Sequence, residues 1–360
     1  MKYKYWLANI KGISNGKINL LLEKFLSAEH IYHMDSRQYE KIKGLTAEDI
    51  INIEESKRER NLEKEWSRFE ETGAGFVTIE DDGYPQRLRN ISNPPYALYF
   101  FGNLPREEET SIAIVGARGR SAYGGSVARQ LSETLARNNI NVISGLARGI
   151  DADAHAGTII GGGKTFAVLA CGVDVIYPRE NKYLYEEILA SGGGILSEYP
   201  MGTKPMKNLF PSRNRIISGL SDGVCVVEAR KRSGSLITAD FAMEQGKEVY
   251  AVPGRITEEL SEGCNSLIFQ GAIPVVTIPD FLADVLGIKK VEEAQIHFSN
   301  FLLEKDEALV YSLLDFQPVG MEELISKTPL DIVGLSDVLE TLEQKGFVKE
   351  VIPGCYVRMI

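Results

Sequence analysis

Short loops dense in Gly, Ser, Arg and Asn hold most of the residues in this chain that can do chemistry. The first, Gly116-Ala117-Arg118-Gly119-Arg120-Ser121, is a glycine-containing turn ahead of a helical pattern. Amides at a helix N-terminus with two guanidiniums beside them suit a phosphate. Loops of the same make-up recur at Ser144-Gly145-Leu146-Ala147-Arg148-Gly149-Ile150-Asp151, Tyr177-Pro178-Arg179-Glu180-Asn181-Lys182, Ser197-Glu198-Tyr199-Pro200 and Pro253-Gly254-Arg255. Ser233-Gly234-Ser235, heading a helical pattern over Leu236 to Gln245, is the strongest single amide nest, because Gly permits close approach and the hydroxyls add donors. Arg213-Asn214-Arg215 lies on a helical turn. Its two arginines point in different directions, so one meets a ligand while the other pins a loop through a carboxylate, and the sequence leaves open which is which. Phe210, near Lys207 in the acid-free stretch Tyr199 to Ser221, is either a core residue or a platform for a nucleobase, the way single strands are held without being read.

Other chemistries lack their signatures. A dinucleotide site wants G-x-G-x-x-G and an acid at the end of the next strand, whereas the turn here is G-x-x-G and that strand ends in Ser144-Gly145, so no nicotinamide or other cofactor is expected. Four cysteines without a C-x-x-C pair and four scattered histidines give metal ligation no pattern, and the cysteines read as reduced and buried. Ser144, His155 and Asp151 or Asp153 are the residue types of a hydrolytic triad, with Asp151 and His155 four apart on one helix face, but there is no G-x-S-x-G elbow.

The elements that must position these loops alternate. Apolar runs at Ile112–Val115, Asn141–Ile143, Phe166–Leu169, Gly194–Leu196, Val224–Val227, Val249–Val252 and Ile273–Val276 are separated by helical patterns such as Tyr123–Asn138, Lys182–Ala190 and Ser235–Gln245. Continuous apolar strands with intervening helices mean an α/β fold, an extended Rossmann-like parallel sheet covered on both faces, which binds ligands at the carboxyl ends of its strands. Residues 1–75 read as short helices of a SAM-like or helix-hairpin-helix domain, with a Thr46 cap. The central domain is expected over 76–288, beginning with a packed connector through Asn103. A linker over 289–300 precedes a winged-helix domain over 301–360, comprising three helices and a terminal hairpin.

The net charge of −10 is uneven: residues 1–110 carry 16 basic against 19 acidic side chains, 111–275 carry 17 against 16, and 276–360 carry 7 against 15. The third helix of the last domain, with Asp337, Glu340 and Glu343, would repel phosphates, which assigns that domain to protein contacts or packing. No apolar run reaches the ~18 residues of a membrane span, and the N-terminus has no secretory pattern, so a cytoplasmic protein without membrane attachment is expected.

In order and spacing, Ala113-Ile114-Val115-Gly116-Ala117-Arg118, the Ser144–Asp151 loop with His155, Gly172 with Tyr177-Pro178, Ser197–Pro200, Phe210–Ile217, Ser233–Ala239 and Val252-Pro253-Gly254 resemble the DNA-processing protein A family (DprA, also called Smf) over roughly 80–285. The resemblance implies a non-enzymatic protein that binds and protects incoming single-stranded DNA in natural transformation and loads the recombinase RecA onto it. Single-strand-binding protein is a further partner, and the Rossmann-like domain forms a homodimer. Carried over by position, the DNA contacts are Arg118, Lys207, Phe210, and Arg179 or Lys182. The first turn departs from the commoner Gly-Ser-Arg, losing a hydroxyl while keeping the amides and Arg118. Together with the loops, the expected DNA-binding set is Gly116, Arg118, Gly119, Ser144, Gly145, Arg179, Lys182, Lys207, Phe210, Arg213, Asn214, Arg215, Ser233, Gly234 and Ser235. The alternative is a nucleotide-processing, phosphoribohydrolase-like enzyme in the same cleft, although the P-G-G-x-G-T signature of such enzymes is missing.

Overall fold

A computed structural model describes residues 1–25, 27–287, 305–315 and 317–359, in two units, Met1–Leu286 and Gly287–Ile360. The expected linker 289–300 and the first residues of the last domain, 301–304, lie outside the described residues.

The first unit is built on a nine-stranded sheet: β1 (Gly75–Thr78), β2 (Ala97–Gly102), β3 (Ser111–Val115), β4 (Asn141–Ser144), β5 (Thr165–Val168), β6 (Gly194–Ser197), β7 (Gly223–Val226), β8 (Glu248–Ala251) and β9 (Ile273–Pro274). Their order across the sheet is β1-β2-β6-β5-β4-β3-β7-β8-β9. The strands from β6 through β9 run parallel, as the apolar runs require, and every residue of β3 is buried. β1 and β2 are antiparallel additions at one edge, lying within the segment expected to be only a connector. Their alternation is masked because β2 is packed on both faces, with Tyr99 buried on one and Leu98 on the other.

Strand pleat sorts the core into layers. Ile112 and Ile114 face the helices Ala122–Arg137 and Ile278–Val285 through Leu131, Leu135 and Phe281, while Ala113 and Val115 face Leu209–Leu220 and Gly234–Glu244 through Ile216, Ile217 and Ala239. The N-terminal helices enclose Trp6, Leu21, Ile31 and Ile53, and Tyr96 and Ala97 at the start of β2 complete that cluster. Thr46 does cap its helix, Ala47–Glu59, in a reciprocal box with Asp49.

One buried ion pair fastens these layers where they meet. Glu198, just after β6, takes both terminal nitrogens of Arg215 at 2.7 Å and accepts from Asn15 Nδ2 at 2.6 Å, while Arg215 Nε donates to the Asn93 carbonyl at 2.9 Å. Sheet, connector, N-terminal helices and the helix Leu209–Leu220 are thereby tied at one point.

The second unit contains helices Lys305–Leu313, Met321–Lys327 and Ile332–Gln344, with β10 (Val319–Gly320), β11 (Val348–Ile352) and β12 (Cys355–Arg358) in the order β10-β12-β11. The expected three helices and hairpin are present around Val310, Leu324, Leu339 and Phe347. Lys345, at the C-terminal end of the acidic third helix, is paired with Glu307 at 2.6 Å.

Glu198→Gln leaves the Arg215 guanidinium buried without its counter-charge, and should cost about 3–5 kcal/mol of unfolding stability in chemical denaturation. Replacing both partners, Glu198→Leu with Arg215→Met, should cost less than the single change, and a double variant as unstable as the single one would refute this account of the pair.

Candidate nucleic-acid interface

The chain leaves β3 in one direction across the sheet and β7 in the other, so the loops after these two strands part and leave a crevice at the carboxyl rim. Around it stand the loops after β3, β4 and β7, the Tyr177-Pro178 segment, and the start of the helix Leu209–Leu220. That helix tolerates Pro211 because its first-turn amides have no intrahelical acceptor to lose, and this puts Phe210 at its exposed tip.

Arg213 forms the floor. It is 4% exposed, donates to the carbonyls of Val168 and Gly145 (3.0 Å for the latter), and its Nε bonds Asn214 Oδ1 at 3.2 Å. Asp151 closes the other side of Gly145, accepting from the Gly145 and Ala147 amides at 3.2 and 3.4 Å. A Cβ at Gly145 would come within 2.7 Å of both the Arg213 guanidinium and the Asp151 carboxylate, so any side chain there would displace these two groups. Burial raises the Asp151 pKa although Arg213 pulls the other way, and burial lowers that of Arg213. Both effects are what desolvation does to charges held in a low dielectric. Above this floor Phe210 has the Arg118 guanidinium carbon 4.9 Å from its ring centre, that of Arg213 at 6.0 Å, and the Tyr177 ring at 6.0 Å. Arg118 and Lys207 are exposed, and neither has an ion-pair partner among the described residues. Asn214 Nδ2 donates to the Gly234 carbonyl at 3.0 Å, which brings the Ser233-Gly234-Ser235 loop to the same rim.

The structure thus gathers Gly116, Arg118, Gly119, Gly145, Lys207, Phe210, Arg213, Asn214, Ser233, Gly234 and Ser235 around two adjoining cavities of ≈ 300 and ≈ 530 Å³. The other expected residues stand apart from them. Ser144 is fully buried and its hydroxyl donates to the Ile114 carbonyl at 2.6 Å, because the strand continues through it. Arg215 is the arginine that pins a loop, through Glu198. Arg179 and Lys182 lie exposed on the turn after Tyr177-Pro178, outside the cavities, with Lys182 3.5 Å from Glu186.

One expectation needs correcting. The helix N-terminus after the first turn is not open to a phosphate: the Ser121 amide and hydroxyl both donate to Glu228, and Ser121 Oγ accepts from the Gly124 amide at 2.9 Å. A side chain at Gly124 would collide with that carboxylate. Tyr177 and Arg148, which line this rim, stand in loops read from the sequence but outside the expected DNA-binding set, and Glu228 was not read from the sequence at all. An acid immediately after the apolar run of β7 was the available signal for Glu228.

The residues of the supposed triad are not connected. His155 is fully buried and its Nδ1 is 2.7 Å from Thr165 Oγ1, whose hydroxyl donates to the Val142 carbonyl. Nδ1 therefore carries the proton, and Nε2 has no hydrogen-bond partner among the described residues. Asp153 binds Arg120 and Arg129, and Asp151 binds backbone amides.

A family model for DNA recombination-mediator protein A matches residues 75–286. The chain is 43% identical over 224 residues to DNA processing protein DprA of Streptococcus pneumoniae, covering 62% of this chain and 77% of that one. It is 38% identical over 312 residues to protein Smf of Escherichia coli, covering 83% and 81%. Among solved structures, S. pneumoniae DprA superposes with a TM-score of 0.69 at 36% identity, covering 79% of this chain and 98% of that one. Helicobacter pylori DNA processing protein A, solved for its single-stranded DNA binding mode, does so at 0.54 and 30% identity, covering 60% and 97%.

Burial depresses the His155 pKa to about 3, with the Arg213 charge adding to the effect. The unfolded chain then binds a proton that the folded chain refuses, so the stability this residue contributes is complete above pH ~6.5 and is lost as pH falls toward about 3. Between pH 7 and 4.5 the loss should reach about 2–3 kcal/mol. In urea unfolding, His155→Gln should show a correspondingly shallower pH dependence than the wild type, and parallel curves would rule the assignment out.

Proposed function

The chain belongs to the DNA recombination-mediator protein A family, and on that premise we propose that its sheet-rim crevice binds single-stranded DNA and that the protein hands this strand to the recombinase RecA. The observation that carries the reading is the juxtaposition of two exposed, unpaired cations, Arg118 and Lys207, with the half-exposed Phe210 ring over a rigid floor. Cations meet phosphates and release counterions, the ring takes a base without reading it, and neither contact depends on sequence.

Around that core stand the finer roles. In the cytoplasm the protein would cover strands entering during natural transformation, act as a homodimer through the Rossmann-like domain, and displace single-strand-binding protein while RecA assembles. The C-terminal unit, acidic over its third helix and with Lys345 already paired, suits a protein partner better than a phosphate backbone. Arg179 and Lys182 would meet the strand only where it leaves the crevice.

In fluorescence anisotropy, labelled oligo-dT should bind in preference to a matched duplex, and affinity should fall with salt. Arg118→Ala and Lys207→Ala should each weaken binding about 10-fold and flatten the log–log salt slope by about 0.7, the contribution of one phosphate contact on a single strand. Wild-type affinity and slope in both variants would place the DNA site elsewhere. The same two variants should lose the acceleration of RecA filament growth on strands coated with single-strand-binding protein. Growth that proceeds equally fast with and without this protein would remove the loading role.

A further inference from the structure

Four cations line the two rim cavities: Arg118, Arg148, Lys207 and Arg213. Arg213 is committed to carbonyls in the floor, and Arg118 and Lys207 have no ion-pair partner among the described residues. Arg148 is in a third condition. Its Nε donates to Glu180, on the turn Arg179–Asn181, and both side chains stay open to water, at 65% and 50% exposure. Glu180 lines neither cavity, so a guanidinium that belongs to the crevice is held by a carboxylate outside it. Its own amide, and then Arg148, keep the Glu180 carboxyl below its usual pKa, so it is ionised at neutral pH.

The backbone beneath this pair is fixed. Asn181, 6% exposed, donates through Nδ2 to the carbonyls of Leu146 at 3.0 Å and Ala147 at 3.2 Å, which ties the loop after β4 to the turn that carries Glu180. On the other side of Arg148, Gly149 has φ +77°, a side chain there would strike the Ala117 carbonyl, and the Ile150 amide donates to that same carbonyl at 3.2 Å. Buried bonds thus hold the two loops together, and the ion pair outside them can open without moving either. Parting an exposed pair is easy, because both charges are well solvated when separate.

We infer that Glu180 is an internal competitor for the nucleic acid: its carboxylate occupies Arg148 in the free protein, and a backbone phosphate of the bound strand takes its place. The inference rests on the reading that this crevice holds single-stranded DNA, and it adds a residue that sets affinity without touching the strand. A phosphodiester suits the guanidinium fork as a carboxylate does, and a strand already engaged by Arg118 and Lys207 delivers a further phosphate at high effective concentration. A lone anion in solution lacks that advantage, so the pair favours a polymer over small anions. An exposed ion pair is worth no more than about 5-fold, so Glu180 tunes the affinity and does not block the site.

The test is a double-mutant cycle on the full-length protein, with oligo-dT binding followed by fluorescence anisotropy over a salt series. Glu180→Gln should tighten binding about 3-fold with the log–log salt slope unchanged. Arg148→Ala should weaken binding about 3-fold, less than the ~10-fold of a free cation because the competition goes with it, and flatten the slope by about 0.7. In the Arg148→Ala background, Glu180→Gln should have no further effect. A carboxylate that repelled the strand from a distance would instead tighten binding equally in both backgrounds, and that result would overturn the inference. So would Arg148→Ala binding with wild-type affinity and slope, or Glu180→Gln failing to tighten. Arg118→Ala, measured alongside, keeps the two readings apart: if it weakens binding while the cycle shows no coupling, the competitor is refuted and DNA binding at the crevice stands. If the wild type does not bind oligo-dT, both readings fall.

Discussion

A single cation buried under the sheet rim holds the rest of the site in place. Arg213 spends its donors on the carbonyls of Gly145 and Val168, which end two neighbouring strands, and on Asn214 beside it in the helix. A guanidinium taken from water is expensive unless each N–H finds an acceptor and a counter-charge lies near. Nε and Nη1 find acceptors in Asn214 and the two strand ends, with Asp151 as the nearby charge, and the strand ends thereby become fixed relative to the helix that carries Phe210. The aromatic platform is thus referenced directly to the sheet. The exposed groups above it, Arg118 and Lys207, can move without disturbing that reference. The site combines a buried, hydrogen-bonded floor with exposed charges.

Much of this was legible in the residue pattern, and the physical reason is the parallel sheet. Strands buried on both faces write themselves as continuous apolar runs, and the runs beginning at Ile112, Phe166 and Val224 correspond to β3, β5 and β7. The loops were equally visible, since a rim that approaches a ligand needs Gly, Ser and Asn. The edge strands were hidden because β2 packs Tyr99 against aromatic rings of the N-terminal helices on one face and Leu98 and Phe100 against the sheet core on the other, so no alternation survives. Side-chain commitments were also hidden. Arg213 and Arg215 have the same type and differ by two positions, yet one lines the floor and the other is consumed by Glu198. Only the third dimension decides which carboxylate lies within reach.

The Glu198–Arg215 pair also links parts of the first unit that the sequence separates. Asn15, in the N-terminal helices, donates to Glu198 and accepts from the Tyr96 amide at 3.1 Å, while Arg215 reaches the Asn93 carbonyl. The N-terminal helices and the element that presents Phe210 are therefore joined through hydrogen bonds that meet at Glu198 and Arg215.

Glu228 has a consequence for competition inside a cell. Free nucleotides and dinucleotide cofactors carry two or more phosphates in a row, and folds of this kind ordinarily seat them on the first helix N-terminus. Here that seat is taken by a carboxylate of the protein itself, bonded to Ser121. A diphosphate brought there would meet a like charge, and the Ser121 and Gly124 amides are already bonded. The carboxylate thus disfavours a run of phosphates at this seat, whereas the strand proposed to occupy the crevice spaces its phosphates one per nucleotide.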